Sequence, residues 1–238
     1  MGSFLPIQSI RRQVMKKIVW VGDSTVAFNG ADTYPQTGIG QEFDRYIKRD
    51  YIVLDFAKNG ASSKSFYDAG RFEPAKAELK EGDFLFIQFG HNDEKPKPDR
   101  HTEPYTTYQE YLMRYVNAAR EAGAIPVLIT PLSRRLFKED GSIENSHGEY
   151  PAALLALAKK EQIAAIDLTE KSRILYEATG DMDSRKWFMY FPLGTYENYT
   201  KKDMTDNTHL HYEGSVKMAG LVAEGLRELG GIYADILV

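Results

Sequence analysis

The chain has 238 residues, 42% hydrophobic and 27% charged, a balance that suits one soluble globular core rather than a disordered or membrane-spanning chain. Its net charge of −4, without a basic block of five or more, argues against nucleic acid or an anionic membrane as partner. The absence of cysteine excludes disulfides, thiolate metal sites and a cysteine nucleophile.

Residues 1–14 carry Phe4-Leu5-Pro6-Ile7 ahead of Arg11-Arg12, which is too short and wrongly ordered for a secretory signal. They are expected to be an extension or cloning remnant, with a single domain over 15–238 and a cytoplasmic location. The first strand is expected at 18–21 (Ile-Val-Trp-Val), stopping at Gly22-Asp23-Ser24-Thr25. A short helix over 41–48 leads to a strand at 51–56 and the turn signal Asn59-Gly60. A third strand, 84–89, runs into Gly90-His91-Asn92-Asp93 and a long loop over 91–104. A helix over 105–122, ended by Gly123, precedes a strand at 125–129. Helix 151–160, strand 163–168 and helix 169–178 follow. An aromatic-rich loop over 181–208 comes before the closing helix, 214–229. Apolar strand runs without alternation imply strands covered on both faces. Their alternation with helices implies a parallel sheet in an α/β fold.

In such a sheet the strand ends share one rim. Ser24, Gly60 and Asn92 all fall there, and Asp206 and His209 precede the last helix. Serine needs a base to become a nucleophile, and the base needs an orienting carboxylate. His209 and Asp206 suit those roles, one helical turn being enough to bring both side chains to one side. The N–H of Ser24, the N–H of Gly60 and the Asn92 amide are candidate oxyanion donors. His209 and His211, with Asp203 and Asp206, also have the makings of a metal site, although no other His or Cys supports one.

These blocks resemble the SGNH, or GDSL-type, hydrolase superfamily: Gly22-Asp23-Ser24-Thr25, Gly60 within Asn59-Gly60-Ala61-Ser62-Ser63, Gly90-His91-Asn92-Asp93, and Asp206-Asn207-Thr208-His209. The resemblance implies a three-layer α/β/α flavodoxin-like fold with five parallel strands. It implies Ser24 as nucleophile, Asp206 and His209 as its partners, and no cofactor or metal. Within the superfamily the chain is most similar to the rhamnogalacturonan acetylesterases, through Gly-Asp-Ser-Thr, the stretch from Ser62 to Phe72, and Asp-x-Thr-His. That implies acetylated oligosaccharides as substrate. Ala61 departs from that group, which carries an arginine soon after the glycine; Lys64 follows further on. Asp23, Lys64, Arg71, His91, Tyr190 and His211 are candidate substrate contacts, and Arg134 and Arg135 are further candidates for sugar carboxylates. The competing expectations are a lipase, lysophospholipase or thioesterase, a silent carbohydrate-binding protein, and a metal-dependent hydrolase.

Overall fold

A computed structural model describes residues 15–238; the expected extension over 1–14 lies outside the described residues. Five parallel strands form the central sheet: β1 (Lys16–Gly22), β2 (Tyr51–Asp55), β3 (Phe84–Gln88), β4 (Ile125–Ile129) and β5 (Ala164–Ile166). Their order is β2-β1-β3-β4-β5, the flavodoxin-like arrangement, with its switch point between β1 and β3.

The two-residue period of a strand divides the apolar runs between the sheet's faces. Ile18, Trp20, Phe84, Phe86, Val127 and Ile129 point to one side. There they meet α1 (Ile39–Glu42), α6 (Leu168–Thr179) and α8 (Tyr212–Leu229). Val19, Val21, Leu85, Ile87 and Leu128 point to the other. They pack on α2 (Ser63–Asp68), α3 (Phe72–Glu78), α4 (Gln109–Glu121) and α5 (Tyr150–Glu161). Trp20 anchors the first face, edge-on to Phe43 and Phe86 at 5.3 and 5.2 Å. Each such buried side chain contributes roughly 1.5–3 kcal/mol. No helix among the described residues is long and apolar enough to cross a membrane.

Several expectations are corrected. The helix expected at 41–48 is α1 followed by a 3-10 turn, Phe43–Tyr46. The start of the helix expected at 105–122 is a π-helical turn, Pro104–Tyr108, before α4. The stretch between β2 and β3 holds α2 and α3. Ser62 starts α2 with a capping box, its hydroxyl accepting the Ser65 N–H. The segment 181–208 is not a loop throughout. It carries α7 (Asp181–Ser184) and the strands β6 (Phe188–Phe191) and β7 (Met204–Leu210), which pair antiparallel outside the main sheet. A short helix, α9 (Gly231–Ala234), closes the described chain.

Candidate active site

Three turns follow β1, β2 and β3, and the strand order sets them side by side. Gly22 opens the first. A Cβ there would lie 2.8 Å from the Gln88 carbonyl oxygen and 2.9 Å from Val26 Cγ2, so β1 and β3 approach too closely for any side chain. The N–H groups of Val26 and Ala27 bond back to the Asp23 carbonyl, at 3.2 and 3.0 Å, and wrap the turn. Asp23 Oδ1 accepts the Thr25 N–H at 2.9 Å and the Thr25 hydroxyl at 2.8 Å. Ser24 retains 8% of its surface.

Ser24 Oγ lies 2.9 Å from His209 Nε2, and His209 Nδ1 lies 2.7 Å from Asp206 Oδ2. A carboxylate takes only donors, so Nδ1 carries the proton and the Nε2 lone pair faces the serine hydroxyl. Burial opposes ionisation of Asp206, but the His209 ring and the N–H groups of His209 and Thr208 outweigh it. They hold its pKa below the ordinary aspartate value.

Asp206 and His209 sit on β7, not on a helical turn. Residues three apart on a straight strand face opposite ways. Here Asp206 Oδ1 takes the N–H of Thr208 at 2.7 Å and of His209 at 2.9 Å, which bends the chain and returns the histidine to its carboxylate. The strand is moored from both sides. Thr37 N–H reaches the Leu210 carbonyl at 3.0 Å, and His211 N–H reaches the Trp187 carbonyl at 2.9 Å. Behind it, Asn207 Oδ1 accepts from Arg135 Nη2 at 2.8 Å and from the Tyr190 hydroxyl.

Gly60 holds φ at +78°, the left-handed region that an Asn-Gly turn supplies. No backbone carbonyl among the described residues takes the N–H of Ser24 or Gly60. Asn92 donates one amide hydrogen to the Ala61 carbonyl at 2.9 Å, while its Oδ1 accepts from Lys95 Nζ at 2.8 Å. That fixes which end of the amide is the donor and leaves its second hydrogen for a ligand.

The other expected residues divide. Asp23 and His91 are 0% and 3% exposed and bond to each other, so neither can touch a substrate. Lys64 pairs with Asp68 at 2.6 Å and lies over the Tyr111 ring. Arg71 borders a separate groove with Asp55, Lys58 and Pro74. Arg134 is held by Glu94, and Arg135, 3% exposed, by Asp181, Tyr190 and Asn207. Tyr190 therefore braces β7. His211 turns its Nε2 to the Tyr196 hydroxyl, 3.3 Å away, rather than joining His209. No group of three His, Cys, Asp or Glu among the described residues is placed to hold a metal ion. Sequence reading passed over Gln36, whose side-chain amide reaches the Ser24 carbonyl at 3.5 Å, and Lys95 and Arg100. The only signal for the last two was the charged loop that carries them.

Residues 20–215 match the family model described as the GDSL-like Lipase/Acylhydrolase family. The chain is 43% identical over 228 residues to the rhamnogalacturonan acetylesterase RhgT of Bacillus subtilis (strain 168), covering 94% of this chain and 97% of that protein. It is 39% identical to a probable rhamnogalacturonan acetylesterase, YesY, of the same organism, covering 90% and 93%. Among solved structures, the Bacillus subtilis protein YXIM superposes with a TM-score of 0.76 at 25% identity, covering 91% of this chain and 58% of that one. An acetylxylan esterase of Geobacillus stearothermophilus, Axe2, shares the fold at 15% identity, with a TM-score of 0.54 over 92% of this chain and 95% of its own.

Proposed function

The chain belongs to the GDSL-like lipase/acylhydrolase family, and from that premise we propose that it is a serine esterase removing O-acetyl groups from acetylated rhamnogalacturonan oligosaccharides. The observation that carries the reading is the unbroken run from Ser24 Oγ through His209 to Asp206, at 2.9 and 2.7 Å. The full-length similarity to RhgT supports the substrate class.

In this reading His209 Nε2 takes the Ser24 proton as Oγ attacks the acetyl carbonyl. The carbonyl π electrons move to oxygen, and that oxyanion receives hydrogen bonds from the N–H of Ser24, the N–H of Gly60 and the Asn92 amide. Asp206 holds the imidazolium that forms. The tetrahedral intermediate collapses and expels the sugar oxygen, which takes the proton from His209 Nε2. An acetyl-enzyme remains. Water then attacks the acetyl carbon, gives a proton to the same nitrogen, and releases acetate with the serine restored. No step calls on a metal or an organic cofactor.

The test is acetate release from acetylated rhamnogalacturonan oligosaccharides, alongside p-nitrophenyl acetate, butyrate and octanoate. Acetate release from the saccharide, with a preference for the acetyl ester, supports the reading. A preference for octanoate moves it to lipid or thioester substrates.

A further inference from the structure

Two cations lie near the candidate oxyanion donors without an ion pair to a buried carboxylate. Lys95 Nζ rests 2.8 Å from Asn92 Oδ1, and no acidic side chain among the described residues comes within ion-pair distance of it. Arg100 borders Gly60. Its Nη1 would lie 3.9 Å from a Cβ built on Gly60, and no other heavy atom outside residues 59–61 lies within 4 Å of that point. The slot above Gly60 is thus open except for a guanidinium. The ion partner of Arg100 is its chain neighbour Asp99, at 3.3 Å, whose side chain is 65% exposed. Such an exposed pair contributes at most about 1 kcal/mol and yields readily to a better anion. Arg100 Nε is buried and has no partner.

The surrounding charges do not neutralise the pair. Half-buried Glu94 is committed to Arg134 and His147, and buried Asp23 to His91 and Thr25. Partial burial of the Lys95 ammonium, together with Arg134 and Arg100 nearby, outweighs the opposing Asp23 and Glu94 and holds its pKa below the ordinary lysine value. Like charges gathered beside an open slot favour an incoming anion.

We infer that Lys95 and Arg100 form a carboxylate subsite that receives a uronate group of the sugar chain carrying the acetyl ester. The planar guanidinium offers paired donors to a carboxylate, and Lys95 adds a point charge. This inference rests on the acetylesterase reading above and names the part of the substrate that the site recognises.

The test compares acetate release from an acetylated rhamnogalacturonan oligosaccharide and from the same saccharide with its carboxylates methyl-esterified. Wild type should prefer the free acid by at least about tenfold in kcat/KM, with the preference shrinking as salt rises. Arg100→Gln should lower that ratio about tenfold, and Arg100→Lys should restore part of it. A ratio corrects for any general damage to the enzyme. The same oligosaccharide without acetyl groups should also inhibit p-nitrophenyl acetate hydrolysis by wild type competitively, with a higher inhibition constant in Arg100→Gln. Equal rates on the acid and the methyl ester would overturn the subsite while leaving the acetylesterase standing. Hydrolysis of p-nitrophenyl acetate with no acetate from either saccharide would overturn the carbohydrate reading and the subsite together. An unchanged acid-to-ester ratio in Arg100→Gln would overturn the assignment to these two residues.

Discussion

Asp23 and His91 meet 3.2 Å apart in the interior, one residue before Ser24 and one before Asn92 respectively. The contact fastens the turn after β1 to the turn after β3. Burial works against the Asp23 carboxylate, yet the facing His91 ring and the Thr25 donors outweigh it and keep its pKa below the ordinary value. Burial also dominates at His91 and pulls its pKa down to about 4, so the ring is neutral at pH 7. Its other side meets the His147 ring edge-on at 4.6 Å.

Removing the Asp23 carboxylate strands His91 and Thr25 without an acceptor, which costs about 1–3 kcal/mol. Asp23→Ala is therefore expected to lower the melting temperature and to reduce kcat on p-nitrophenyl acetate more than it changes KM. Asp23→Asn keeps an acceptor oxygen and should recover part of kcat. Equal kcat in the two variants would show that the contact does not set the geometry of the turns.

The proposed chemistry makes a graded series. Ser24→Ala should lose at least about 10³-fold in kcat while keeping its melting temperature. Asn92→Ala should lose on the order of 10²-fold through the missing oxyanion donor. Steady-state kinetics on p-nitrophenyl acetate reads both, and Ser24→Ala activity within tenfold of wild type would refute the scheme.

Stability should respond to pH through two groups of opposite sign. His91 is neutral in the fold down to about pH 4, whereas the unfolded chain takes its proton near pH 6.5. Its contribution is present above pH 6.5 and is lost as pH falls through about 4. Asp55 is raised to about 7, because burial outweighs the N–H of Ala57, and its Oδ2 has no partner. Its contribution is present below pH 3.8 and is lost as pH rises through about 7. Asp55→Asn should remove the second effect and stabilise the protein at pH 8. The gain is up to about 4 kcal/mol, reduced by the screening that a partly exposed side chain receives. Denaturant unfolding of both proteins at pH 5 and pH 8 measures it; an equal offset at the two pH values would contradict the assignment.

Gly214, in the first turn of α8, leaves no room for a side chain: a Cβ would sit 2.0 Å from the Trp187 carbonyl oxygen. That same carbonyl accepts the His211 N–H. Gly214→Ala should cost about 1–3 kcal/mol by overpacking and should disturb β7 with its histidine. Thermal unfolding and kcat should fall together. An unchanged kcat would show that β7 is positioned independently of the helix start.

The five sheet strands were legible because burial on both faces leaves continuous β-branched and aromatic runs, as in Ile18–Val21 and Phe84–Phe89. Ser24, Gly60 and Asn92 were legible because parallel topology alone sends strand ends to one rim. The short helices α2 and α3 were missed. Their identity comes from a cap at Ser62 and from burial of Phe66 and Phe72, not from a long periodic stripe. The β6-β7 hairpin was missed because its strands are polar or interrupted by a register shift, and Thr-Asp-Asn-Thr-His reads as a turn. The substrate candidates suffered most. Charge along the sequence does not say whether a guanidinium is spent within the fold, as with Arg134 and Arg135, or paired only with an exposed neighbour, as with Arg100.

Ser24 and His209 are 185 positions apart, and the histidine arrives on a hairpin that is no part of the main sheet. A ribosome therefore delivers all five sheet strands and the three candidate oxyanion donors before it delivers the proposed base. In the proposed mechanism a nascent chain has no base until β7 has been made. Helix α8 follows β7 and covers one face of the sheet, so the proposed hydrolysis depends on residues up to Leu229.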